Sequence, residues 1–266
     1  MKTDNKSTIN TVTIAIGAIA AAIIACSLVL YYLMTKPADE PSKKNPAPKP
    51  LAVQEEIPES VEYKIEKDEL SFENTEQDLY LTQYFEKVVI TDEGETFKKI
   101  NELIQKQSDR FINDSKENES FVKDESYMSN MHYSNYCTAA VTKNSDGILS
   151  IKMTRTWFMG GVSNIDSYGL NYNLKTGEEL NIAEFLGMTK TETENFFKEE
   201  SKKQIKEGFF EDAAKTIDSY SLADFNYYIK NDSIFLCHST YSLAPGAAGE
   251  IIMEIPIPNT QDKTEE

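Results

Sequence analysis

Hydrophobic residues are spaced in two different ways along this chain. Residues 12–34 form one unbroken, largely apolar run without a charged side chain. A helix of that length, at ~1.5 Å per residue, exceeds the ~30 Å hydrocarbon core of a bilayer, so the run predicts a transmembrane helix. From Val61 onward the apolar positions alternate or recur every three to four residues, which is typical of strands and amphipathic helices in a globular fold.

Alternation of apolar and polar residues predicts most of the region after Val61 to be strand. The predicted strands are 63–70, 79–90, 133–142, 149–154, 168–174, 225–230, 233–239 and 250–257. In the fourth of these, Leu149, Ile151 and Met153 alternate with polar residues, which indicates a strand buried on one face only.

Helical spacing interrupts this series of strands at three places. Phe97, Ile100, Leu103, Ile104 and Phe111 would share one face of a helix at 96–113, followed by a polar loop at 113–120. Further helices are predicted at 181–186 and 191–208. We therefore expect an α+β fold, with helices packed on a largely antiparallel sheet.

Proline marks the segment between the apolar run and this region. Residues 35–60 hold six of the nine prolines, and proline supports neither helix nor ladder pairing, so the segment is predicted to be an extended linker. The predicted organisation is a cytoplasmic stub at 1–11, a transmembrane helix at 12–34, a Pro-rich linker at 35–60, an N-terminal lobe at 61–150, a C-terminal lobe at 151–258 and a polar tail at 259–266.

The charges that flank the apolar run do not settle its orientation. Lys2 and Lys6 precede it, and four lysines follow it before residue 50. Long domains cross membranes regardless of such counts. We expect a single-pass protein of the plasma membrane whose C-terminal domain is extracytoplasmic.

A formal net charge of −17 limits the classes of partner. Nucleic acids and anionic lipid surfaces are recognised by clustered Lys and Arg, so the acidic balance argues against both. It is compatible with a cationic secreted protein or a cell-wall ligand. The alternative is that the charge only keeps the domain soluble.

Few residues in this sequence suggest catalysis. The two histidines are His132 and His238, and the latter follows Cys237 in a predicted strand, so those two side chains should point to opposite faces. No nucleophile elbow or phosphate-binding loop occurs. We expect no catalytic residue, cofactor or metal site. A cell-envelope carbohydrate hydrolase that uses paired carboxylates is the alternative.

The cysteines of the soluble region leave two alternatives open. Cys137 and Cys237 lie 100 positions apart, and outside the cell they could form one disulfide. The alternative is two buried, unpaired thiols that pack as small hydrophobic side chains.

Two segments are candidates for a ligand-binding rim. Trp157 and Phe158 end a predicted strand beside Gly160-Gly161, and Tyr241 and Pro245 lie in a loop of small residues at 241–249. Exposed aromatic side chains are frequent anchors in binding sites. The alternative is that these residues pack in the core and that the glycines permit turns.

The same segments resemble a known bacterial region. The carrying motifs are Thr156-Trp157-Phe158-Met159-Gly160-Gly161, Tyr172–Leu186 and the stretch from Phe225 through Tyr241–Gly249 to Ile257. They are similar to the extracytoplasmic domain of unknown function shared by the anti-sigma-V factor RsiV, in its C-terminal part, and the peptidoglycan deacetylase PdaC, in its N-terminal part.

This resemblance implies an α+β domain outside the membrane of a Gram-positive bacterium. In RsiV the region binds lysozyme, so the resemblance implies an RsiV-like sensing module without catalysis. Where family members commonly carry Gly-Gly-Ala-His, this chain has Gly160-Gly161-Val162-Ser163, and no role of that histidine is transferred. Regulation of a sigma factor is a further alternative, which would require residues 1–11 to bind it.

Overall fold

A computed structural model of the chain describes residues 59–76, 78–124 and 131–258. The predicted transmembrane helix, nearly all of the predicted linker and the predicted polar tail lie outside these residues. Within the described residues, no helix is long and apolar enough to cross a membrane. The fold is α+β with mostly antiparallel strands, which confirms the predicted class.

A seven-stranded sheet forms the first half of the fold. Its order is β1-β3-β4-β5-β6-β7, with β2 paired to the start of β3, and every pair is antiparallel except β3–β4. The strands are β1 (Tyr63–Glu69), β2 (Phe72–Asn74), β3 (Leu79–Ile90), β4 (Met131–Ser145), β5 (Ile148–Phe158), β6 (Asn164–Asn173) and β7 (Glu178–Glu179).

Helix α1 (Glu95–Asp124) connects the two parallel strands β3 and β4. Its apolar face covers the sheet, with Ile100 and Ile104 fully buried in the first hydrophobic core. The helix continues through 113–120, so the predicted polar loop there is wrong. The reason is that polar side chains on this stretch serve buried amides of the sheet.

Three hydrogen bonds hold this later part of the helix against the middle of the sheet. Gln83 Nε2 donates to the Ser115 carbonyl oxygen (3.1 Å), and Asn118 Nδ2 donates to Gln83 Oε1 (3.2 Å). Asn135 Nδ2 donates to Ser115 Oγ (3.0 Å). Because Gln83 and Asn135 are register partners on β3 and β4, one polar line fastens the helix to both strands.

A smaller sheet of three antiparallel strands forms the second half. Its order is β10-β9-β8, with β8 at Asn226–Lys230, β9 at Ser233–His238 and β10 at Ile251–Pro256. Helices α2 (Ile182–Phe185), α3 (Lys190–Lys202) and α4 (Ala213–Ser219) enclose a second core around the fully buried Phe197 and Leu236.

Local signals explain where these helices begin and end. Asn181 caps α2, and Thr189 and Glu192 form a capping box at the start of α3. Helix α3 ends at Lys202, six residues before its predicted end, and Gln204 Nε2 then donates to the Glu254 carbonyl oxygen of β10 (2.9 Å). Helix α4 lacks a predicted counterpart.

The two sheets meet where β8 lies against one face of the larger sheet. The backbone groups of β8 that point away from β9 are bonded by side chains of that face, not by another strand. Asn171 Nδ2 donates to the Tyr227 carbonyl (2.8 Å), and Ser150 Oγ accepts from Ile229 N (2.8 Å). Thr142 Oγ1 donates to the Ile229 carbonyl (2.7 Å). We call this contact the polar seam.

The polar seam changes one expectation from the sequence. β5 is buried on both faces at Ser150, so the prediction of a strand buried on one face only is wrong there. The predicted boundary between the two lobes, at residues 150 and 151, lies within β5; the larger sheet ends at Glu179 and the smaller sheet begins at Asn226.

The first described residues are tied to the larger sheet. Asn144 Oδ1 accepts from Val61 N (2.9 Å), and Asn144 Nδ2 donates to the Val61 carbonyl (2.8 Å). This two-way bond joins the chain just before β1 to the end of β4.

Candidate functional site

The predicted rim residues of β5 lie at one end of the larger sheet. Trp157 pairs in register with Asn135 on β4 and Asn164 on β6, and its side chain is half-buried. Phe158 is also half-buried, with its ring 6.4 Å from that of Tyr133. Gly160 and Gly161 then reverse the chain into β6, both with positive φ.

In the loop between β9 and β10, the ring of Tyr241 packs against Gly246 of the same loop. Tyr241 has φ 69°, an uncommon backbone conformation for a bulky residue. Its ring lies so close to Gly246 that a Cβ there would overlap it, which explains a residue without a side chain at that position. Leu243 and Ala244 are buried and anchor the loop, while Tyr241 and Pro245 remain exposed.

Hydrogen bonds bring this loop to the start of β6. Thr240 Oγ1 donates to the Ile165 carbonyl (2.7 Å), and Thr240 N donates to Asp166 Oδ1 (2.8 Å). Since β6 pairs with β5 at Trp157, all four predicted rim residues lie at the same end of the larger sheet.

Exposed apolar side chains gather around the loop. Ile165 is 42% exposed and Tyr241 56% exposed. Phe210, also exposed, follows a turn whose backbone is bonded to the loop, since Phe210 N donates to the Leu243 carbonyl (2.9 Å). We call Ile165, Phe210, Tyr241 and Pro245 the apolar edge.

Cys137 and Cys237 are free and buried, each on a different sheet. Cys137 Sγ lies 3.7 Å from Tyr168 Oη in the first core, and Cys237 Sγ lies 3.8 Å from the Phe235 carbonyl oxygen on β9. The disulfide alternative is therefore not realised. Burial raises the pKa of the Cys137 thiol to about 11 and that of Cys237 to about 12, so neither is a thiolate at neutral pH.

The two histidines occupy contrasting environments. His132 is exposed on β4, with Nε2 3.9 Å from Asp78 Oδ1. His238 is buried on β9 against the rings of Tyr220 and Phe225, and its Nε2 has no hydrogen-bond partner among the residues that the structure describes. Burial lowers the pKa of His238 to about 4. Its ring is therefore neutral at physiological pH and packs as an aromatic side chain.

A cavity of about 680 Å³ lies between β1, the end of β3 and the start of α1. Its lining combines two lysines with the carboxylates of Glu66, Asp92, Glu93, Glu95 and Glu102. Across the described ranges, no group of three or more His, Cys, Asp and Glu side chains is arranged to hold a metal ion.

Two protein families match different parts of the chain, and strands β6 and β7 lie between the two matched parts. Residues 53–163 match the family described as Deacetylase PdaC. Residues 186–258 match the protein family of unknown function DUF3298. The chain is therefore similar to the PdaC family in its first matched part and to DUF3298 in its second. This confirms the resemblance predicted from the motifs, and both the predicted rim segments fall within the matched residues.

Solved structures of DUF3298 proteins are also similar to this chain. One from Pseudomonas aeruginosa PAO1 has a TM-score of 0.45 at 15% identity and covers 75% of this chain and 91% of its own. One from Bacteroides fragilis NCTC 9343 has a TM-score of 0.48 at 12% identity and covers 75% and 92%. No curated protein matches the chain.

Sequence reasoning found the loop and the end of β5 but missed two of their neighbours. Ile165 and Phe210 join the apolar edge through backbone hydrogen bonds of Thr240 and Leu243. Each is an ordinary apolar residue in its own segment, and only the tertiary contacts make it part of a surface. The signal for Tyr241 was stronger, because an aromatic residue stands out in a loop of small residues.

Proposed function

We propose that this chain is a membrane-anchored binding module, displayed outside a Gram-positive cell, that recognises a cationic secreted protein such as a lysozyme. The single observation that supports it is the apolar edge, in which an aromatic residue of uncommon backbone conformation is held on a hydrogen-bonded loop. Uncommon backbone conformations concentrate at functional sites.

The chemistry of this surface fits protein recognition. Binding energy at protein interfaces is concentrated in a few buried aromatic and apolar anchors surrounded by polar residues. Tyr241 and Phe210 supply the anchors, and a chain of net charge −17 supplies long-range attraction for a basic partner. The RsiV-like motifs add support, because that region of RsiV binds lysozyme.

Titration of the full chain in detergent micelles with hen lysozyme tests this function. We expect binding that weakens as salt rises, since charge attraction is screened. Tyr241→Ala should weaken it by at least tenfold, while Tyr63→Ala, which removes an exposed tyrosine on the edge strand β1, should leave it unchanged. Absence of binding, or equal affinities for the two variants, would refute the proposal.

The location is tested separately on intact cells. Externally added trypsin should remove residues 59–258 while a cytoplasmic marker survives. Protection of this region in unbroken cells would contradict the extracytoplasmic assignment.

The alternative of a carbohydrate hydrolase is favoured by one observation, the cavity lined by five carboxylates. Hydrolysis by paired carboxylates requires two of them to face one glycosidic bond. If purified chain released reducing ends from cell-wall glycan, and Glu66→Gln or Glu102→Gln abolished the release, the hydrolase would replace the binding module. Regulation of a sigma factor depends on residues 1–11 and is tested by deleting them in a reporter strain.

A further inference from the structure

The face of the larger sheet that is opposite α1 has a second part, away from the polar seam. Register pairs run across it from Tyr84 on β3 to Tyr136 on β4 and then to Thr156 on β5. All three side chains are partly exposed. We call this partly exposed part of the face the open face.

Aromatic rings on the open face stand in pairs. The rings of Tyr84 and Tyr136 are 4.9 Å apart and nearly parallel, at 10°. Lys67 Nζ lies 4.8 Å from the centre of the Tyr84 ring. A second pair, Tyr80 and His132, has ring centres 4.7 Å apart.

The stacking leaves one ring surface available for a ligand. Tyr84 lies between Lys67 and Tyr136, so its ring is contacted from both sides. Tyr136 has Tyr84 on its β3 side, whereas its register partner on the β5 side is the much smaller Thr156. The ring surface of Tyr136 therefore forms a wall beside a floor of small side chains.

The floor is uncharged and carries many hydroxyl groups. It consists of Thr82, Ser134, Thr138, Thr154 and Thr156, all on this face by register. Each hydroxyl is both a donor and an acceptor of hydrogen bonds. Glu86 borders the floor on β3, and its carboxylate accepts from the backbone N–H of Ala139 (3.0 Å).

We propose that the open face binds a neutral, extended glycan, an interaction that goes beyond the protein recognition proposed for the apolar edge. A sugar ring presents C–H groups that pack on an aromatic ring and hydroxyls that exchange hydrogen bonds with Ser and Thr. An anionic polymer would be repelled by the net charge of −17.

The spacing of the aromatic pairs sets the length of the ligand. Tyr80 and Tyr84 are four residues apart on β3, roughly 13 Å along an extended strand. Thr82 and Ser134 lie between the two pairs. One sugar ring cannot touch both pairs, so the face is suited to an oligosaccharide whose rings contact the aromatic pairs and whose intervening hydroxyls meet Thr82 and Ser134.

A protein occupant fits this surface less well. Protein interfaces have an apolar centre, whereas the floor here is lined by hydroxyls. Thr138 Oγ1 donates to the Thr154 carbonyl (3.4 Å), and Thr154 Oγ1 is bonded to Ser167 Oγ (3.2 Å). The hydroxyls of Thr82, Ser134 and Thr156 would need partners once they are removed from water. The apolar edge has the opposite character, and we assign protein recognition to it instead.

The experiment titrates the full chain in detergent micelles with chitohexaose, an extended β-linked glycan, and with maltohexaose, a curved one. We expect the chain to bind chitohexaose more tightly than maltohexaose. Tyr136→Ala should weaken binding of chitohexaose about tenfold, because it removes the aromatic wall. Tyr136→Phe keeps the ring and should retain most of the affinity, and Tyr63→Ala should retain all of it.

A second variant guards against misfolding. Thr156 is partly exposed, so Thr156→Arg is expected to fold and to block the floor, which should abolish binding. Cooperative unfolding followed by fluorescence of Trp157, the single tryptophan, establishes that each variant is folded. Folded wild-type chain that does not bind chitohexaose, or binding that survives both Tyr136→Ala and Thr156→Arg, would overturn the glycan site.

Failure of this proposal is distinguishable from failure of the proposed function. Tyr241→Ala should weaken lysozyme binding and leave the chitohexaose titration unchanged, and Tyr136→Ala should do the reverse. Loss of glycan binding in Tyr241→Ala would place the glycan at the apolar edge and refute the open face as its site.

Discussion

Two parts of one face of the larger sheet have similar polar side chains, but one part is buried under β8 and the other remains partly exposed. At the polar seam, Ser150 and Asn171 are buried and complete the hydrogen bonding of β8. On the open face, Ser134 and Thr156 remain partly exposed beside stacked tyrosines. The difference teaches that alternation identifies the face of a strand, whereas the size of its side chains decides whether another element can approach.

Gly169 is the sharpest instance of that rule. A Cβ at this position would overlap the carbonyl oxygen of Tyr227, so β8 reaches the sheet only because this residue has no side chain. The open face has tyrosines on the two strands β3 and β4, and rings of that size hold a neighbouring backbone away.

Gly169→Ala should therefore have the largest effect. The overlapping atoms belong to the backbone of β8 and cannot rotate away, so we expect the free energy of unfolding to fall by more than ~3 kcal/mol. Chemical denaturation followed by Trp157 fluorescence measures it. Ile165→Ala, on the exposed part of the same strand, should change stability by under ~0.5 kcal/mol. Similar losses in the two variants would contradict the comparison.

The comparison of buried and exposed positions extends to the two histidines and to the pH dependence of stability. The buried His238 has its pKa lowered to about 4 from an ordinary value of 6.5, because burial disfavours the charged ring. Below pH ~6.5 the unfolded chain binds a proton that the folded chain does not. Stability is therefore lost as pH falls from ~6.5 to ~4, by about 3 kcal/mol.

Denaturation midpoints between pH 7 and pH 4 check this prediction. His238→Phe should flatten this part of the profile, since no group at position 238 then takes up a proton. His132→Gln, at the exposed histidine of the open face, should keep the loss because His238 is still present. A profile that is unchanged in His238→Phe would refute the assignment.

The same substitution made on both parts of the face gives the most direct comparison. Ser150→Ala leaves the backbone N–H of Ile229 buried without its acceptor, which should cost about 1–3 kcal/mol. Ser134→Ala, on the neighbouring strand and the same face, should cost under ~0.5 kcal/mol. Equal effects in urea denaturation would mean that the polar seam adds no more stability than the exposed surface.

The smallest loss of stability is expected when one of the two stacked tyrosines of the open face is removed. Tyr84→Ala removes the stacked pair with Tyr136 and the contact with Lys67, at a cost of about 1 kcal/mol. The measurement is again the unfolding midpoint. A loss as large as that of Gly169→Ala would show that the open face supports the fold as strongly as the covered part does.

Local patterns predicted much of this fold from sequence. The bounds of β3 agree with the prediction, and Asn181 caps a helix where one was expected. The extension of α1 beyond Asn113 was missed because its stability comes from Gln83 and Asn135, which are distant in sequence. The parallel pairing of β3 and β4 leaves no local signal either.

The candidate sites were predicted less completely. Tyr241 and Pro245 stood out in a loop of small residues, and the structure places both on the surface. The open face was not predicted, since Tyr84 and Tyr136 become neighbours only through strand register. A single sequence without the pairing of its strands cannot reveal such a surface.

The two-way bond between Val61 and Asn144 has a mechanical consequence. Tension applied through the preceding part of the chain reaches the sheet at this bond and at the Glu59 carbonyl, which accepts from Gly147 N (3.4 Å). The load then passes into β4, a strand with neighbours on both sides, instead of peeling away the edge strand β1. The side-chain amide of Asn144 therefore protects the edge strand β1 from being pulled off the sheet under tension.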